Sequence, residues 1–138
     1  LAGEEAAGGD GLCQLPFLGR IAAGQPIEAV VDHERIDVPQ HLLTSQSGDN
    51  HFVLKVSGDS MIDEGIHDGD LVVVQRREAA TAGEMVVALV GADATLKRFY
   101  PEGRQIRLQP ANPTLPTMIA PASVVQVQGI VVGLLRRY

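Results

Sequence analysis

Tryptophan is absent from this chain of 138 residues, aromatics make up 4% of it, and Cys13 is its one cysteine. The core must therefore be aliphatic, built from Val, Leu and Ile. No internal disulfide can form, so a reducing, cytoplasmic location is the simplest home. A single thiol near one end, with no histidine close in sequence, reads as inert rather than nucleophilic. No apolar run approaches the roughly 20 residues of a membrane-spanning helix, so no membrane partner is expected. The opening "LAGEEAAGGDG" has neither the basic nor the apolar region of a signal peptide; its lack of Met suggests a piece of something longer. Cations are also sparse: the net charge is −6, and Lys55 and Lys97 are the only lysines. That balance argues against this piece gripping a phosphate backbone by itself, which takes clustered Lys and Arg. The basic clusters "QRRE" and "LLRRY" read as solvated strand ends.

Apolar β-branched residues are plentiful instead. Residues 1–11 are Gly, Ala and acidic side chains with little to bury, and read as a linker or arm. Residues 12–138 read most simply as a single domain. "LCQLPFLGRIAAGQPIEAVV" reads as extended chain and loop with a few buried anchors, and "VPQHLLTSQ" as one helical turn. From residue 52 onward, "FVLKVS", "LVVVQ", "MVVALV", "ATLKRF", "QIRLQ" and "VVQVQGIVVGLL" read as strands separated by Gly, Asp and Pro turns. The expected fold class is mainly β, a sandwich or partly closed barrel rather than a βαβ fold.

Three residue groups could carry chemistry. In "SGDSM", Gly58 permits a sharp turn after a strand, and "SMIDEGI" offers a helical turn with unpaired N–H groups at its start. Ser60 there either caps that turn or exposes its hydroxyl beside free backbone donors, as an oxyanion hole requires. A reactive serine needs a base. His33, His41, His51 and His67 fall in no triad or metal-binding pattern and read as surface or loop residues. On the strand "ATLKRF", Lys97 shares a face with Thr95 and Phe99 while Arg98 faces outward. Next to an apolar ring the amine is desolvated, which favours its neutral, basic form; a surface lysine with its stem on the sheet is the other reading. The acidic residues Asp59, Asp63, Glu64, Asp68 and Asp70 do not follow calcium-loop spacing and read as turn residues. No metal and no cofactor are called for.

"VSGDSMIDEGIHDGDLVVV" followed by "ATLKRF" resembles the LexA-type serine-lysine self-cleaving domains. "LPFLGRIAAGQPIEA" is similar to the cleavage segment of LexA repressors, and "VQVQGIVVGLLRRY" to their last strands. The likeness covers residues 12 to 138 and implies a LexA/signal-peptidase-like β-rich fold with a cleavage-site loop. It implies Ser60 as nucleophile, Lys97 as general base, and Ala23–Gly24 as the scissile bond, with the backbone N–H groups of Asp59 and Ser60 stabilising the oxyanion. It further implies a homodimer through the C-terminal strands, and operator DNA bound by an N-terminal winged helix-turn-helix absent from this chain. Cleavage would be stimulated by the RecA–single-stranded-DNA filament and would end repression of DNA-damage genes. UmuD-type polymerase accessory proteins are also similar, but place Cys before the cleaved Gly where this chain has Ala23. Signal peptidases carry Pro soon after the serine-methionine pair, where this chain has Ile62. A non-catalytic dimerisation module is the remaining alternative.

Overall fold

A computed structural model describes residues 11–22, 28–29, 34–44 and 48–137, with backbone alone at 28–29. Among the described residues ten strands follow in chain order: β1 (Leu12–Ala22), β2 (Glu28–Ala29), β3 (Arg35–Pro39), β4 (His51–Ser57), β5 (Leu71–Arg76), β6 (Met85–Val90), β7 (Asp93–Glu102), β8 (Gln105–Gln109), β9 (Met118–Pro121) and β10 (Val125–Leu135). They form one sheet in the order β2-β1-β4-β5-β10-β6-β7-β8-β9, with β3 also on β1. β1 runs parallel to β4, and the other described pairings are antiparallel. The mainly β expectation holds, in the form of a single open mixed sheet.

The apolar runs in β4, β5 and β6 do not alternate with polar residues because both faces of these strands are covered. Phe52, Leu54, Val56, Val72, Val74 and Val87 point into one aliphatic cluster, joined by Ile21, Met61, Ile66, Ala94 and Leu96. Val53 and Val73 point the other way, where β1 and β3 bring Cys13, Leu15 and Val38 over the sheet. Val86, Ala88, Phe99, Ile106, Leu108 and Ile130 make a third cluster toward the β8 end. Each fully buried Val or Leu contributes about 1.5–3 kcal/mol of transfer free energy, so an aliphatic core suffices without tryptophan. Gly129 marks the bulge of β10 between Val127 and Gly129, where a Cβ would stand 2.5 Å from the Gln75 carbonyl oxygen. A side chain there would part β10 from β5.

Several local expectations change. "LCQLPFLGRIA" is a full strand, because β3 pairs with its first half, Leu12 to Pro16, and β4 with its second, Phe17 to Ala22. The helical turn in "VPQHLLTSQ" is a short 3-10 turn over Gln40–Leu42. The basic clusters are not merely solvated. Arg76 lies 4.7 Å from the centre of the Phe52 ring. Arg136 reaches back to the buried Asp70, its Nε and Nη2 donating to the two carboxylate oxygens at 2.8 and 2.7 Å. Nor is His51 a surface residue: it is buried at the start of β4, with Nδ1 on the Asp49 carbonyl and Nε2 accepting from the Thr44 N–H. Among the described residues, no helix is long and apolar enough to cross a membrane.

Candidate active site

Strand β4 ends at Ser57, and the chain turns at Gly58, whose φ of 96° is costly for any residue with a Cβ. The Gly58 N–H donates to Asp68 Oδ1 at 2.8 Å, and Val56 and Gly69–Asp70 exchange backbone hydrogen bonds. These bonds fold the 58–70 excursion onto its own base. Asp68 is thus a turn residue, as its sequence position implies. The buried Asp70 is more than that: it also accepts from the His67 N–H at 2.8 Å, and the Arg136 guanidinium holds its carboxyl below the usual carboxylate range.

Ser60 sits at the crest of this excursion, half-buried. The following 3-10 turn, Ile62–Glu64, has no side-chain cap, so the capping role for Ser60 is ruled out. Its hydroxyl makes no hydrogen bond with a described residue. The N–H groups of Asp59 and Ser60 likewise donate to no described acceptor, whereas Ile62 and Asp63 donate to the carbonyls of Asp59 and Ala111. A hydroxyl flanked by two unengaged backbone donors is the local arrangement that acyl-transfer chemistry uses.

Lys97 lies on β7 opposite Val86 of β6. Only 5% of it is exposed. Burial pushes its amine below the usual lysine range. No described carboxylate pairs with it. Instead Nζ donates to Oγ1 of Thr95 at 2.5 Å, and Thr95 is itself buried. The surface-lysine reading therefore fails. Thr95 was not singled out from sequence as a partner, although strand alternation does place it on the face of Lys97.

Two ties bring the Ser60 excursion to β7. Met61 and Leu96, the neighbours of Ser60 and Lys97, pack in one cluster. Arg98 faces Glu64 rather than open solvent, its Nε and Nη2 donating to the carboxylate at 3.2 and 2.8 Å while Nη1 donates to the Gly83 carbonyl at 2.8 Å. The Ser60 and Lys97 side chains are not hydrogen-bonded to each other in this arrangement.

The third element is β1. It runs beside β4 with Ala22 level with Ser57, and β2 returns antiparallel with Glu28 level with Arg20. The ends of β1 and β2 thus flank residues 23–27. The predicted scissile bond Ala23–Gly24 lies outside the described residues, as does His33.

Comparison with known proteins gives a consistent result. A family model described as Peptidase S24-like matches residues 16–132. The chain is 49% identical over 128 residues to the LexA repressor of Syntrophobacter fumaroxidans, covering 93% of this chain and 61% of that one. It is 54% identical over 125 residues to the LexA repressor of Koribacter versatilis, covering 90% and 58%. With the LexA repressor of Paramagnetospirillum magneticum it shares 48% over 140 residues, covering 100% and 58%. The chain thus spans about three-fifths of the length of these relatives.

Proposed function

The chain belongs to the peptidase S24-like family, and from that premise we propose that it is the self-cleaving half of a LexA-type repressor of DNA-damage genes. In this reading Ser60 and Lys97 are a catalytic dyad that cuts the Ala23–Gly24 bond of the same chain. The observation that carries the proposal is the buried Lys97 amine with no carboxylate partner among the described residues. A charged lysine so placed is expensive. A neutral one is a base.

Neutral Lys97 Nζ takes the proton of the Ser60 hydroxyl as Oγ attacks the Ala23 carbonyl carbon. The developing oxyanion is met by the Asp59 and Ser60 N–H groups. The tetrahedral intermediate collapses, the C–N bond to Gly24 breaks, and the ammonium of Lys97 returns its proton to the leaving amine. Water, deprotonated by the same lysine, then attacks the Ser60 ester; the ammonium returns that proton to the departing Ser60 Oγ, and the freed Ala23 carboxyl loses its own proton to solvent. Extended backbone pairing of β1 with β4 supports delivery of the scissile segment along the sheet toward the Ser60 end.

The hydrogen bond from Nζ to Thr95 supports a resting state in which the base is aimed but not engaged. Docking of the scissile segment excludes water and completes the dyad. A partner that favours the docked state accelerates cutting only through its differential affinity. The RecA–single-stranded-DNA filament is the partner this reading assigns. Cutting separates a DNA-binding module from a homodimerising one, which ends bivalent operator binding. The site is cytoplasmic in this account and takes no metal or cofactor.

Incubation of the purified chain at rising pH, followed by intact mass, tests this. Self-cleavage predicts two fragments with a new N-terminus at Gly24, formed faster as pH rises. An uncut chain at every pH would favour a passive dimerisation module.

A further inference from the structure

The Ala111–Asn112 pair, just beyond β8, brackets the Ser60 corner from across the fold. The Ala111 N–H donates to the Ser60 carbonyl at 2.8 Å and approaches Met61 Sδ at 3.3 Å, while the Ala111 carbonyl accepts from the Asp63 N–H at 2.8 Å. Asn112 is 8% exposed. Its Nδ2 donates to the Asp59 carbonyl at 2.9 Å, a bond between residues 53 positions apart. Its Oδ1 accepts from the N–H and the hydroxyl of Thr114 at 2.9 and 2.7 Å. With the oxygen taken by two donors, the orientation of the amide is settled: its NH2 faces Asp59.

The Asp59 carbonyl also accepts from the Ile62 N–H at 3.2 Å. A trans peptide is planar, with its C=O and N–H pointing in opposite directions. Holding the Asp59 oxygen from two sides therefore fixes the N–H on the other end of the same peptide, which is that of Ser60. That N–H is turned away from the bracket and meets no described acceptor.

We propose that Asn112 is a positioning residue for self-cleavage: by holding the Asp59 carbonyl it keeps the Ser60 N–H aimed at the oxyanion. This rests on the Ser60 reading above and adds a residue to it. Asn112 touches neither the scissile carbonyl nor Lys97, so it acts on the stabilisation of the intermediate and not on the base.

The test is the pH profile of self-cleavage in Asn112→Asp, read by intact mass beside the unaltered chain. Asp is isosteric and keeps the acceptor for Thr114, but it presents an oxygen where the Asp59 carbonyl needs a donor. Loss of an entire oxyanion donor costs roughly 10²–10³ in rate, and misaiming one is expected to lower the alkaline plateau about 10- to 100-fold. The pH of half-maximal rate should not move, because Lys97 is untouched. Asn112→Ser, too short to reach Asp59, should behave alike, and both variants should melt cooperatively. A plateau within twofold of the unaltered chain in a folded variant overturns the proposal. So does a rate loss with a displaced inflection, or failure of both variants to fold, either of which makes Asn112 structural. An unaltered chain that stays uncut overturns the Ser60 reading itself, whereas equal cutting by the unaltered and Asn112→Asp chains overturns only the role of Asn112.

Discussion

Asp70 and Lys97 are both buried, at 3% and 5% exposure, and the fold treats them oppositely. Asp70 is met by a two-point guanidinium from Arg136 and by the His67 N–H. Its charge is kept, and the carboxyl is held below its usual range. Lys97 is met by a single neutral hydroxyl from Thr95, and burial pushes its amine downward. The first arrangement stabilises a charge and ties the end of β10 to the turn before β5. The second disfavours the charge and shifts the amine toward its neutral form. An uncompensated buried ammonium is a poor structural element, whereas the neutral amine that burial favours is suited to general-base work.

Removing the two groups should break this contrast most visibly. Ser60→Ala and Lys97→Met are each expected to lower self-cleavage more than 10³-fold, since nucleophile and base act as a unit. Their effects on stability should differ. The folded pKa of Lys97 lies below its unfolded value, so the unfolded chain binds the extra proton between the two. Stability from this group therefore rises with pH across that window, and a constant cost remains below it. Lys97→Met should raise the melting temperature at neutral pH, and the gain should vanish as pH approaches the ordinary lysine range. A variant that melts lower at neutral pH would contradict a neutral lysine.

Asp70→Asn should do the reverse. Breaking a buried pair costs about 3–5 kcal/mol; with the Arg136 side chain 29% exposed, about 2 kcal/mol is expected in urea unfolding, with little change in cutting per folded molecule. Because the folded pKa of Asp70 is depressed, its contribution is complete above the unfolded value and lost as pH falls through the folded one. The acid limb of the stability profile should flatten in the variant.

Thr95→Val removes the oxygen that holds Nζ. With that bond gone, the charged lysine loses its remaining acceptor. The inflection of the cleavage profile should move to lower pH, and the plateau should drop about tenfold from loss of aim. An unchanged profile would show that Thr95 does not hold the base.

The smallest effect is expected at Glu64, which joins the Ser60 turn to β7. The Arg98 guanidinium holds its carboxyl below the usual range, yet 31% and 34% of the two side chains are exposed. Solvent screens such a pair, and Glu64→Gln should cost about 0.5 kcal/mol in thermal unfolding, present above the unfolded Glu value and lost in acid.

The strands β4 to β8 and β10 were legible because β-branched runs between Gly, Asp and Pro turns have few other solutions. β3 and β9 were not: "RIDVP" and "MIAP" are short, carry Pro, and are strands only because β1 and β8 hold them. At the site, alternation in "ATLKRF" exposed the burial of Lys97, and Gly58 exposed the turn. What bonds to these residues was not legible. Asn112 on Asp59, Arg136 on Asp70 and Arg98 on Glu64 are pairings between distant segments, and a sequence read locally shows a polar residue without its partner. Arg98 looked outward by the same alternation that buried Lys97, since the pattern records which face a side chain takes and not what crosses over it.

For Ser60 to be activated, the Lys97 amine must be neutral beside it. NMR titration of the Lys97 ammonium in the uncut Ser60→Ala chain, set beside the cleavage profile of the unaltered chain, tests it most directly. Lys97 is expected to titrate below the ordinary lysine range, at the pH where the cleavage rate inflects. A Lys97 that titrates at an ordinary lysine value would contradict it.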